Sequence, residues 1–137
     1  MELGRSCSTH LRIVDTRPSP DAPVSHGDLP LGAGEEFVVA IIGVAGIPVG
    51  ASAVVLNVTA VNPTEAGFLS LYPANLSFSS ASPPTFSNLN TVVGGAPTPN
   101  LAIVKIAPPG SPNAGAVKVF NRRGTTDVIL DVAGFYS

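Results

Sequence analysis

The chain has 137 residues, 12% of them charged and 45% hydrophobic, with a net charge of −2. That length holds one domain with a proper core, and so little charge does not fit a disordered chain. The seven basic residues are scattered, with Arg122-Arg123 the only adjacent pair, so the cationic stripe of a nucleic-acid binder is missing; no apolar run reaches a membrane span of about 18 residues, and a lone Cys7 permits no intrachain disulfide.

The first 35 residues read as an extended arm, carrying Pro18, Pro20, Pro23 and Pro30, with one strand at 12–16. The N-terminus has no basic flank followed by an apolar run, so no signal peptide is expected. The chain is then expected to act where it is made, or to be numbered from inside a longer precursor. Further strands are predicted at 36–42, 53–61, 67–72, 85–88, 101–106, 116–121 and 127–135, rich in Val, Ile, Thr and aromatics. Nearly all of the 14 glycines and 14 prolines fall between these runs rather than inside them, which is the punctuation of many short strands. No window shows the 3.6-residue apolar period of a helix.

Two of these strands are written twice. Residues 50–58, GASAVVLNV, match residues 124–132, GTTDVILDV; residues 66–72, AGFLSLY, match residues 114–120, AGAVKVF. In 53–61 the set Val54, Leu56, Val58, Ala60 alternates with Val55, Asn57, Thr59, Val61. In 127–135 Val128, Leu130 and Val132 alternate with Ile129, Asp131 and Ala133. Apolar residues on both faces predict central strands. The turn residues Asn62-Pro63-Thr64-Glu65-Ala66-Gly67 and Asn121-Arg122-Arg123-Gly124 predict two hairpins, 53–61 with 67–72 and 116–121 with 127–135. The fold class that follows is all-β: a single-domain antiparallel β-sandwich or small barrel over 1–137, with the extended Pro-rich arm over 1–35 and a regular β core over 36–137.

Catalytic and metal-binding motifs are absent: there is no His-Glu-x-x-His, no Gly-x-Ser-x-Gly and no phosphate-cradling glycine loop. His10 and His26 lie in the arm without a paired motif, although His10 has Asp15 and Asp21 nearby in sequence. Among the charges in strand-like contexts, Asp15, Arg17, Asp127 and Asp131, a carboxylate pair acting on a glycosidic bond is one reading. The other, favoured in a chain so poor in charge, makes Asp15, Arg17 and Asp131 a structural ion-pair set that pins the arm to the sheet. Asn57, Asn88 and Asn90, with Tyr72 and Tyr136 as stacking rings, are the candidates for contact with a glycan. The absence of Trp and the ease with which asparagines bond turn backbones favour a structural reading of the same residues. No cofactor is expected, and no acidic cluster suits calcium.

The ordered series Arg12-Ile13-Val14-Asp15-Thr16-Arg17-Pro18, Leu56-Asn57-Val58-Thr59, Asn62-Pro63 and Asp131-Val132-Ala133-Gly134-Phe135-Tyr136 resembles an accessory β-rich repeat domain of actinobacterial and actinophage surface proteins. The resemblance covers nearly all the chain from about residue 11. It implies a non-enzymatic β-domain with no assigned catalytic residue. Relatives of this kind often accompany cell-wall or polysaccharide hydrolases. This copy stands alone and begins at a methionine, so the expected function is a structural or assembly domain decorating a larger particle or fibre, as in a phage capsid or tail. The expected partners are itself, as a homo-oligomer such as a trimer, and a larger protein shell, with no nucleic acid and no membrane. The expected location is a virion or cell-surface assembly. The alternative is a cell-wall or glycan-binding accessory module of a secreted protein.

Overall fold

Alternation of apolar side chains leaves each strand with a face to bury, and the chain meets that demand by stacking two antiparallel sheets. The structure is a computed structural model that describes residues 3–4, 11–18 and 29–137. Its strands are β1 (Leu3–Gly4), β2 (Leu11–Asp15), β3 (Glu36–Ala40), β4 (Ala53–Val61), β5 (Gly67–Pro73), β6 (Leu89–Thr91), β7 (Thr98–Lys105), β8 (Ala116–Asn121) and β9 (Asp127–Tyr136). One sheet runs β9-β4-β7, with β1 and β2 both pairing the far side of β9; the other runs β3-β8-β5-β6. The architecture is a β-sandwich, and no helix occurs among the described residues.

The core is the interleaved inner faces. Val54, Leu56, Val58, Ala102, Val104, Val128, Leu130 and Val132 come from one sheet, and Phe37, Val39, Leu69, Leu71, Val117 and Val119 from the other. Each inward set follows the period of two that places alternate side chains on one face. β4 and β9 are central, as their two apolar faces predict. Val14 and Leu31, which bridges Thr126, bring the chain before β3 into the same core.

The strands written twice are hydrogen-bonded neighbours. β4 pairs β9 with Asn57 opposite Asp131, and β5 pairs β8 with Leu71 opposite Val119. These are also the positions that the two sequence matches equate, so the repetition marks a local two-fold relation in both sheets. The predicted hairpins are not formed. β4 and β5 lie in different sheets, as do β8 and β9, so both short connections are corners that cross the sandwich. They are bonded to each other: Thr64 N–H donates to Thr125 O at 2.9 Å, Thr125 N–H to Thr64 Oγ1 at 2.8 Å, and Arg122 N–H to Phe68 O at 3.0 Å. A left-handed residue begins or ends each corner, Asn62 at φ 52° and Gly124 at φ 60°. Turn chemistry of this kind serves a corner as well as a hairpin.

The strand predicted at 85–88 is displaced to β6 at Leu89–Thr91. Residues 85–88 are instead tied to β5 by side chains: Asn88 Oδ1 accepts from Leu71 N–H at 2.7 Å, and Ser70 Oγ donates to Phe86 O. β7 starts three residues earlier than predicted and includes Pro99, which an edge strand tolerates because its missing N–H faces away from the ladder.

Candidate functional site

Among the described residues, two ionic constellations form on the sandwich, on different sheets. The first sits where β2 lies along β9. Asp15 is 1% exposed, and its carboxylate accepts Arg17 Nε at 2.9 Å, Arg17 Nη2 at 2.8 Å and Arg17 N–H at 3.1 Å. Arg12, its neighbour on the outer face, gives Nε to Asp131 Oδ1 at 2.9 Å across the strand pair and reaches Asp15 at 3.7 Å. Buried Thr16 completes the seam: its Oγ1 donates to Asp127 Oδ1 at 2.9 Å and accepts Val128 N–H at 2.9 Å. Arg12 and Asp131 are brought together by register, Arg12 opposite Asp131. The fork of Arg17 closing on Asp15 is a local turn two residues long, bidentate and charge-assisted. That hydrogen bond to Arg17 is the main reason the Asp15 carboxyl lies below its ordinary range, and Asp15 in turn raises the Arg17 guanidinium.

The second constellation lies on the outer face of the other sheet. Glu36 on β3, Tyr72 on β5 and Lys118 on β8 converge beneath the segment 74–88, which folds over that face. Glu36 accepts Lys118 Nζ at 3.1 Å, Ser77 Oγ at 2.6 Å, Phe78 N–H at 3.1 Å and the Tyr72 hydroxyl. Lys118 Nζ also donates to Leu76 O at 2.9 Å. Burial pushes the Glu36 carboxyl up, but the donors of Ser77, Tyr72, Phe78 and Lys118 outweigh it and the net direction is down. Burial, then the Glu36 carboxylate, raises the Tyr72 phenol. Tyr72 packs edge-on against Phe78 at 4.8 Å and against Phe86 at 6.1 Å between ring centroids. Three strands and a covering segment are thus joined at one carboxylate.

These geometries bear on the chemistry each group can perform. A general acid at neutral pH needs a raised carboxyl pKa, whereas Asp15 and Glu36 are both shifted down and act as anionic acceptors. Among the described residues no group of three His, Cys, Asp or Glu side chains is placed to hold a metal ion. His10, His26, Asp21 and Cys7 lie outside the described residues.

The candidate glycan contacts do not converge. Tyr72, at 2% exposure and walled in by Phe78 and Phe86, offers no ring face to a sugar, because burial of the ring is what packs segment 74–88. Asn88 spends its carbonyl on Leu71 N–H, and exposed Asn90, within β6, accepts Ser87 Oγ at 3.0 Å. Asn57 lies half-buried at the centre of the other sheet, and Tyr136 is half-buried near the end of β9. A recess of about 630 Å³ opens at one end of the sandwich between Ile42, Val49, Ala51, Ile106, Pro108 and Ala114. It is lined by apolar and small residues and carries no charged side chain.

Glu36 and Lys118 were not singled out from the sequence. The one available signal was a lysine inside the otherwise apolar run Ala116-Val117-Lys118-Val119-Phe120. A second feature concerns the sheet edge. β7 pairs β4 on one side and no other described strand on its other side, and it holds Leu101 and Ile103 outward at 59% and 61% exposure. Comparison with protein-family models, with curated proteins and with solved structures finds no match for the chain.

Proposed function

We propose that this chain is a non-catalytic structural β-domain that associates with itself and decorates a larger particle or fibre, with a phage virion as the assembly that the sequence resemblance favours. One contrast carries the reading. The carboxylates with shifted acidity, Asp15 and Glu36, are spent on holding the fold together, while the longest edge strand turns bulky apolar side chains to solvent. An enzyme or a glycan receptor spends its polar groups on a pocket; here they clamp β2 to β9 and segment 74–88 to its sheet. Low charge across the chain lowers the cost of covering its surface with other protein. Light scattering behind a sizing column at micromolar concentration tests the proposal: a closed oligomer is expected. A monomer that pellets with purified actinobacterial cell walls would replace it with the glycan-binding reading.

A further inference from the structure

We infer that β7 is a self-pairing edge, at which a second copy of this chain adds its own β7 antiparallel and joins two sandwiches through one continuous sheet. The inference rests on the self-association proposed above and names its surface. Every second residue of an edge strand turns its N–H and C=O away from its one partner, so an uncovered edge is a template for another strand. Folded proteins blunt such edges by shortness, charge, proline or a covering segment. The other edges are blunted in this way: β6 has three residues, β2 carries Arg12 and Asp15 in an ionic seam, and β3 has five residues with Glu36 tied under segment 74–88. β7 has eight, with Pro99 near one end and Lys105 at the other, and nothing charged between them.

The occupant follows from the strand's own pattern. A two-fold axis at Ala102 sets Leu101 of one copy opposite Ile103 of the other, twice, and sets Lys105 opposite Pro99. Both exposed apolar residues then meet each other on the outer face, and no like charges meet. The neighbouring centres are poorer. An axis at Ile103 sets Leu101 against Lys105, and one at Leu101 sets Ile103 against Pro99. Self-complementarity of this kind is what an isologous contact requires, and directly opposed side chains are the units that stabilise a sheet.

The test exploits the register. Sedimentation velocity of the full chain from about 1 to 100 µM should show concentration-dependent dimerisation. Leu101→Lys with Ile103→Lys sets lysine against lysine and should sediment as monomer throughout. Leu101→Glu with Ile103→Lys sets glutamate against lysine at both opposed sites and should recover the dimer. At protein concentrations below the onset of dimerisation, circular dichroism and melting temperature should match wild type in both variants, because both positions face solvent in the single chain. A monomeric wild type overturns both this inference and the assembly reading. An oligomer that survives the double lysine variant leaves assembly standing and refutes the β7 contact. Loss of association in both variants refutes the antiparallel register.

Discussion

Removing the charge at Glu36 should weaken the junction of β3 with β8. Glu36→Gln keeps a carbonyl acceptor for Phe78 N–H and the Tyr72 hydroxyl but leaves the Lys118 ammonium, 11% exposed, with Leu76 O as its remaining partner. An uncompensated buried charge costs about 3–5 kcal/mol. Residual access of water to both side chains argues for the lower end, about 3 kcal/mol. Lys118→Met leaves the carboxylate with three donors, Tyr72, Ser77 and Phe78, and should cost about 1.5 kcal/mol, the lower end of the range for one lost hydrogen bond to a charged group. The double variant removes both charges and should lie within about 1 kcal/mol of wild type, because a neutral pair needs no desolvation of ions. The cycle therefore predicts a coupling of about 3.5–4.5 kcal/mol. Urea unfolding followed by far-ultraviolet circular dichroism measures all four proteins. Additive costs within about 0.5 kcal/mol, the margin expected of independent sites, would refute the claim that this pair is a buried structural unit.

Gly124→Ala should destabilise by more than the ~1 kcal/mol of a left-handed alanine, since φ is 60° and the new Cβ would lie 2.5 Å from Thr64 Oγ1; a midpoint shift in urea unfolding measures it, and a neutral variant would contradict the docking of the two corners. Acid should weaken the fold from about pH 4 downward. Asp15 and Glu36 are depressed in the folded state, so the unfolded chain takes up protons first; their stabilisation is complete above the ordinary carboxylate range and is lost as pH falls through the lower folded values. Melting temperatures between pH 2 and 6 should fall steeply for wild type and less for Asp15→Asn and Glu36→Gln, while equal slopes would count against both assignments.

Much of the sandwich was legible because burial writes a period of two into β4 and β9, and their inward sets are the ones that alternation selects. The repeated segments also carried information about pairing, since Asn57 meets Asp131 and Leu71 meets Val119. What local sequence could not supply was which strands share a sheet. Asn62-Pro63 and Arg123-Gly124 turn the chain sharply, and whether a sharp turn makes a hairpin or a corner depends on bonds such as Thr64 to Thr125, 61 residues apart. The same distance in sequence hid the Glu36 constellation, whose members stand at 36, 72, 77 and 118. Asp15, Arg17 and Asp131 were visible as embedded charges, but Arg12, which spans Asp15 and Asp131, becomes meaningful only once β2 and β9 are in register. Tyr72 looked available because its strand neighbours gave no hint that segment 74–88 closes over it.

Amide hydrogen exchange on β7, compared between dilute and concentrated protein, tests self-association through this edge most directly. The account predicts that outward-facing amides within residues 100–104 gain protection as concentration rises, while those of β6 and β3 do not change. Exchange on β7 that is independent of concentration would contradict it.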